Sequence, residues 1–251
     1  MNGIITKILF PTFAGLAVLL CGCAVENEHI AKLPLFEAKS DKIPGLDPPH
    51  QRKKIIREKG AKGAKASESE KEILVAQLVY EYQTSPDPNM RREAVDALAK
   101  IPHPQRDRYL REILQDDNPF VRLSALEALG KTYSGPKEEL TALLLDRMKT
   151  DVDKDVRLAA VRILGTVFPK GTSGDLHRSV ILELGNLLDD KIPAIRYEAM
   201  QSLQKVTGQD YGNDINRWAE YMRYVRGEVP NLPTERTFSE KMPRIALPMF
   251  K

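Results

Sequence analysis

"FVRLSALEALG", Phe120 to Gly130, returns thirty-five residues later as "DVRLAAVRILG", Asp155 to Gly165. Two more copies of the same frame flank this pair. Aligned, the four are "MRREAVDAL" (Met90–Leu98), "VRLSALEAL" (Val121–Leu129), "VRLAAVRIL" (Val156–Leu164) and "IRYEAMQSL" (Ile195–Leu203). They share aliphatic-Arg-x-x-Ala-x-x-x-Leu, with Arg at 91, 122, 157 and 196, spaced by 31, 35 and 39. Repeats of that length read as stacked helical hairpins. The aliphatic residue, Ala and Leu fall at i, i+4 and i+8, one face of a helix. The small Ala lets that face approach a neighbour closely.

Outward from the frame, an amphipathic run precedes each copy. The runs carry Ile73, Leu74, Leu78 and Tyr82; then Leu110, Ile113 and Leu114; then Leu140, Leu143 and Leu144; then Leu176, Val180, Leu184 and Leu187/Leu188. Between run and frame sit Asp87, Asn118, Asp153 and the Asp189/Asp190 pair, residue types that cap helix N-termini. Pro88, Pro119 and Pro193 occupy the same first turns, where a missing N–H costs little. After the last frame, Gly208 suits a left-handed helix end, and Asn213 or Asp214 suits the start of one more helix. Trp218, Tyr221, Met222 and Val225 line one face of that helix, which reads as a C-terminal cap. A single hairpin cannot bury its own apolar face, so neighbours must stack on it. The repeated phrase is a repeated packing surface.

Over about residues 68–206 the frame resembles HEAT repeats and their close PBS-lyase-type relatives. The resemblance implies an all-α fold, an α-α superhelix of about four repeats, with the solenoid and its cap over 68–226. It also implies that Arg91, Arg122, Arg157 and Arg196 are structural, bonded to acidic or backbone groups of the hairpin or the next repeat. The fourth copy has Ile192 where the others have Asp87, Asn118 and Asp153, so Asp189 or Asp190 would have to serve there.

The N-terminus reads differently. Lys7 precedes an apolar run, Ile8–Leu20, which suits an export signal and is short of the ~20 residues of a spanning helix. "LCGC", Leu20 to Cys23, resembles a bacterial lipoprotein signal. That implies a signal peptide over 1–22, cleavage after Gly22, and acylation of Cys23, palmitate included. Both cysteines of the chain lie in this stretch, so the mature chain is expected to hold no disulfide and no Cys-based metal site. Residues 23–67 read as a flexible tether: Pro34, Pro44, Pro48 and Pro49 interrupt it, and seven basic residues between Arg52 and Lys65 face one acid, Glu58. Residues 227–251, with four prolines, read as an extended tail.

No pattern of catalytic residues emerges. Asp151, Asp153 and Asp155 have calcium-loop spacing, but Val156 stands where the turn needs Gly and Arg162 where the loop needs Glu, so they read as helix caps. His29, His50, His103 and His177 form no metal-ligand pair. "GAKGAKAS" (Gly60–Ser67) lacks the ending of a phosphate loop. The net charge of +3 gives no global argument for nucleic acid. The expectation is an exported, lipid-anchored, non-enzymatic scaffold on the cell membrane or outer membrane, facing the periplasm. It needs no cofactor or metal, and it takes a protein or peptide partner of the envelope rather than nucleic acid. Its groove would be lined by the outward positions of the frame: Glu93, Asp96, Ser124, Glu127, Arg162, Glu198 and Gln201. Two alternatives stand beside this: a HEAT-fold enzyme or cofactor-handling protein, and a nucleic-acid or anionic-surface binder acting through the basic tether.

Overall fold

A computed structural model describes residues 48–168, 170–171 and 173–233. The stretch read as a signal peptide, Cys23, the part of the supposed tether before residue 48 and most of the supposed tail lie outside these. Among the described residues there are ten α-helices and no strand: α1 Pro49–Gly63, α2 Glu68–Thr84, α3 Pro88–Leu98, α4 Arg106–Ile113, α5 Pro119–Thr132, α6 Lys137–Thr150, α7 Lys154–Val167, α8 Asp175–Asn186, α9 Pro193–Thr207 and α10 Ile215–Arg226. The pairs α2/α3, α4/α5, α6/α7 and α8/α9 are the four repeats, stacked as an α-α solenoid.

The frame is the second helix of each pair. Its aliphatic, Ala and Leu positions are buried throughout, for example Val121, Ala125 and Leu129, all 0% exposed. The second helices begin as their caps dictate. Asp87, Asn118 and Asp153 accept backbone N–H bonds from Asn89, Phe120 and Asp155 at 2.9, 3.0 and 2.9 Å. Ile192 makes no side-chain cap. Gly208 ends α9 at φ 73°, and Asp214 caps α10. Trp218 is fully buried, edge-on to Tyr211 and Tyr221, with its indole N–H on the Gly212 carbonyl at 3.0 Å. The stripe on α2 is rotated from the sequence reading. Leu74, Val75 and Leu78 are buried, whereas Ile73 is exposed, no repeat among the described residues stacking on that side of α2.

Part of the segment read as a flexible tether is a helix. Residues 49–63 form α1, which packs on α2 and α3. Pro49 does not oppose this, since it occupies the first turn, where its ring fits. Glycine makes the packing: a Cβ on Gly60 would lie 2.8 Å from the Ala97 Cα and 2.9 Å from its carbonyl oxygen. Gly130 meets Ile163, and Gly165 meets Ser202, in the same way. In each case the residue eight places after a frame Arg touches the residue six places after the next one. Counting back from Gly60 puts Arg52 in the frame-Arg position. So α1 is a fifth second helix, without a first helix before it among the described residues. Its Ile56, 1% exposed, occupies the place of Val95, Leu126 and Val161.

Second helices pack closely on one another from α1 to α9, whereas successive first helices barely touch. Ion pairs bridge the looser layer, Arg111 to Glu139 at 3.1 Å and Lys149 to Glu183 at 2.7 Å. A stack tight on one side and loose on the other bends toward the tight side. The second helices therefore form the concave face.

Candidate functional site: the face of the second helices

Two ladders of side chains cross this layer. The first runs along the helix N-termini. Arg91 donates two bonds to Asp116, both 2.9 Å, and Arg122 donates two to Asp151 at 3.0 and 2.7 Å. Each Arg also reaches back to carbonyls of its own hairpin turn, as Arg122 does to Asp116 and Asp117. Among the described residues Arg157 and Arg196 hold carbonyls alone, Asp151 and Val152 for the one, Asp190 and Lys191 for the other. Asp190 thus serves Arg196 through its backbone, not its carboxylate. Asp116 and Asp151 are buried. Burial alone would raise their pKa, but the Arg bonds and a backbone N–H on each outweigh it and hold both carboxyls below the usual range. Beside Asp116, burial and then that carboxylate push the Tyr82 hydroxyl up to about 12.

The second ladder crosses the middle of the face. It links the residue five places after a frame Arg to the residue two places after the next. Arg57 on α1 pairs with Glu93 on α3, its Nε 2.8 Å from the carboxylate. Asp96 accepts from Ser124 at 2.5 Å, and Arg162 pairs with Glu198 at 3.4 Å. The Arg57 bond, against the opposing effect of burial, depresses the pKa of Glu93. Glu93 and Ser124, which the sequence reading placed outward in the groove, are therefore buried inter-helix contacts, 6% and 8% exposed. Glu93 turns inward because α1 covers it. Asp96 and Arg162 are exposed, and Glu127, Glu198 and Gln201 are half-buried on the same face.

The ladder breaks once. Glu127 on α5 faces Ala159 on α7, which cannot pair with it. At the break a cleft of about 420 Å³ lies between α5 and α7, lined by Gly130, Lys131, Ala159, Arg162 and Thr166 beside Glu127. A second cleft of about 400 Å³ lies between α3 and α5, lined by Asp96, Lys100, Ser124, Glu127, Lys131 and Thr132. The clefts adjoin at Glu127 and Lys131.

Sequence reasoning missed Arg57, hidden in the supposed tether, and Lys100, Lys131 and Lys205. These lysines stand nine places after the frame Arg in three of the four copies, a regularity visible once the copies are aligned. The Asp151, Asp153 and Asp155 cluster is spent on Arg122, the α7 cap and Lys154 at 2.8 Å. No group of three or more His, Cys, Asp or Glu converges as metal ligands among the described residues. No described helix is long and apolar enough to cross a membrane.

Residues 75–165 match the family of HEAT repeats. Among solved structures, the chain is similar to the crystal structure of an engineered protein at 20% identity, covering 64% of this chain and 75% of that one with a TM-score of 0.42. No curated protein matches. Helical repeats of this kind commonly mediate protein interactions.

Proposed function

We propose that this chain is a non-enzymatic interaction module that holds a protein or peptide partner on the face formed by α3, α5, α7 and α9. One observation carries the reading. Two clefts adjoin on that face and share Glu127 and Lys131, at the one place where the inter-helix ladder lacks a partner. Elsewhere along the ladder, the facing polar groups satisfy one another. There, a carboxylate with no bonding partner among the described residues and an exposed ammonium stand beside open space. That arrangement suits recognition of a polar chain.

The "LCGC" stretch at Leu20–Cys23 supports a lipid anchor at Cys23, and with it a place on the periplasm-facing side of the cell membrane or outer membrane. Acylated there, the solenoid would present its groove close to the bilayer to a partner of the envelope. Two measurements test this reading. Metabolic labelling with an alkyne-bearing fatty acid should mark the wild type and not Cys23→Ser. A photocrosslinker at Gln201 should capture a reproducible partner, and one at exposed Val152, in a hairpin turn between helices, should not. Equal capture at both positions refutes the groove.

A further inference from the structure

We infer that the concave face takes an extended acidic peptide segment carrying apolar side chains, a partner chemistry that rests on the groove reading above. Asp96 accepts a bond from Ser124 and keeps its charge, but Glu93 and Glu198 are neutralised internally, by Arg57 and Arg162. The basic groups along its edge are not. Lys100, Lys131 and Lys205 are exposed, occupy the same position of α3, α5 and α9, and make no ion pair among the described residues. What the face offers a partner is therefore positive along that edge, although its formal charges nearly balance.

The opposite edge carries two exposed aromatic rings, one on α5 and one on α9. Phe120 is 63% exposed and Tyr197 49%. Phe120, Glu127 and Lys131 follow at steps of seven and four residues along one stripe of α5. Tyr197, Gln201 and Lys205 follow at steps of four along α9. A partner lying across the helices thus meets, at α5 and at α9, an aromatic ring, a polar floor and a lysine together. Packed helices lie about 8–10 Å apart, and a chain in the extended polyproline II conformation rises about 3.1 Å per residue with three residues per turn, so every third side chain points the same way. One helix is crossed for about every three residues. Carboxylates at that interval reach Lys100 and Lys131, skip α7, where Thr166 stands in the row, and reach Lys205. Glu127 accepts a backbone N–H of the peptide at the cleft where Ala159 gives it no partner.

The test uses the full-length protein in detergent and fluorescein-labelled synthetic peptides, read by fluorescence anisotropy. One peptide carries Glu at about every third residue, the polyproline II period, with Leu and Phe between; a second has Lys at each Glu position. The acidic peptide should bind and the basic one should not. The triple variant K100E/K131E/K205E should weaken the acidic peptide by about tenfold or more, three exposed pairs being lost, and should gain affinity for the basic one. Equal affinity of wild type and triple variant for the acidic peptide overturns the inference, including where the variant only melts earlier, which would make the lysines partners of helix C-termini. Displacement by heparin or an oligonucleotide as readily as by unlabelled peptide also overturns it, in favour of a general polyanion surface. So does a lysine-dependent dimer in light scattering, in favour of a second copy of the chain. Capture by the Gln201 photocrosslinker alongside an indifferent triple variant sinks the acidic-peptide inference but leaves the groove. No capture and no peptide binding sink both.

Discussion

Arg122 and Arg157 hold the same place in consecutive copies of the frame, yet their replacement should have different consequences. Arg122 donates two bonds to the Asp151 carboxylate and two to backbone carbonyls, and the Asp151 side chain is 1% exposed. Arg122→Ala leaves that carboxylate buried, with the Asp153 N–H as its close donor and Arg147 only at 4.0 Å. Breaking a buried pair from one side costs about 3–5 kcal/mol. Arg157→Ala removes bonds to two carbonyls at 2.8 and 3.2 Å and strands no charge. A charge-assisted bond contributes about 1.5–3 kcal/mol; the second, longer one adds little, so the loss should be nearer 2. Urea unfolding at pH 7 should therefore separate the variants by about 1–3 kcal/mol, with Arg122→Ala the weaker. Acid supplies a second check. In the wild type the depressed pKa of Asp151 contributes stability above its unfolded value of about 3.9, and this is lost as pH falls through the folded value. In Arg122→Ala burial dominates and raises the same pKa, so acid relieves that variant while it weakens the wild type. The gap between them should narrow from pH 7 toward about pH 4. Equal costs at pH 7, or a gap indifferent to pH, would refute the assignment of the Arg–Asp ladder as the connector between repeats.

Three further outcomes are expected. Gly60→Leu should detach α1, because its side chain meets the Ala97 backbone; hydrogen exchange should rise over residues 52–63 and stay unchanged in α7 and α9. Asp153→Ala should cost about 1 kcal/mol in thermal unfolding through the lost cap of α7, whereas Ile192→Ala should show no loss of capping. Trp218→Ala should cost about 3–5 kcal/mol, read by circular dichroism; in the wild type this sole tryptophan should emit as a buried indole and shift to the red on unfolding.

The helices from α2 to α10 were legible in the sequence because their signals repeat and agree: the frame, the Asp or Asn caps and the first-turn prolines all mark the same boundaries. The first helix was not. It buries one large apolar side chain, Ile56, and otherwise packs through Gly60 and Gly63. Glycine in a helix is a close-approach signal only when the partner surface is known, and without that partner "GAKG" reads as a flexible run. Lys59 stands where the frame has Leu, so of the phrase only Arg52 survives in α1. The groove was partly legible. Counting outward positions picked residues that share one face of the second helices, but it could not tell Glu93, which α1 covers, from Glu127, which nothing pairs among the described residues. That distinction depends on the residue across the interface, and a single helix does not reveal it.

The unequal layers give the stack a mechanical character. Where glycine and alanine bring the second helices nearly into backbone contact, there is no slack. The first helices are separated by looser contacts and strutted by surface ion pairs such as Arg111–Glu139 and Lys149–Glu183. Such a body flexes like a leaf spring, with its inner surface as the inextensible leaf and its outer surface opening and closing. Bending tilts the helices without pulling the inner row apart, so the groove can change its curvature while the spacing of its side chains stays nearly fixed. Salt, with a screening length of about 8 Å at physiological strength and shorter above it, weakens these exposed pairs and so softens the outer leaf first.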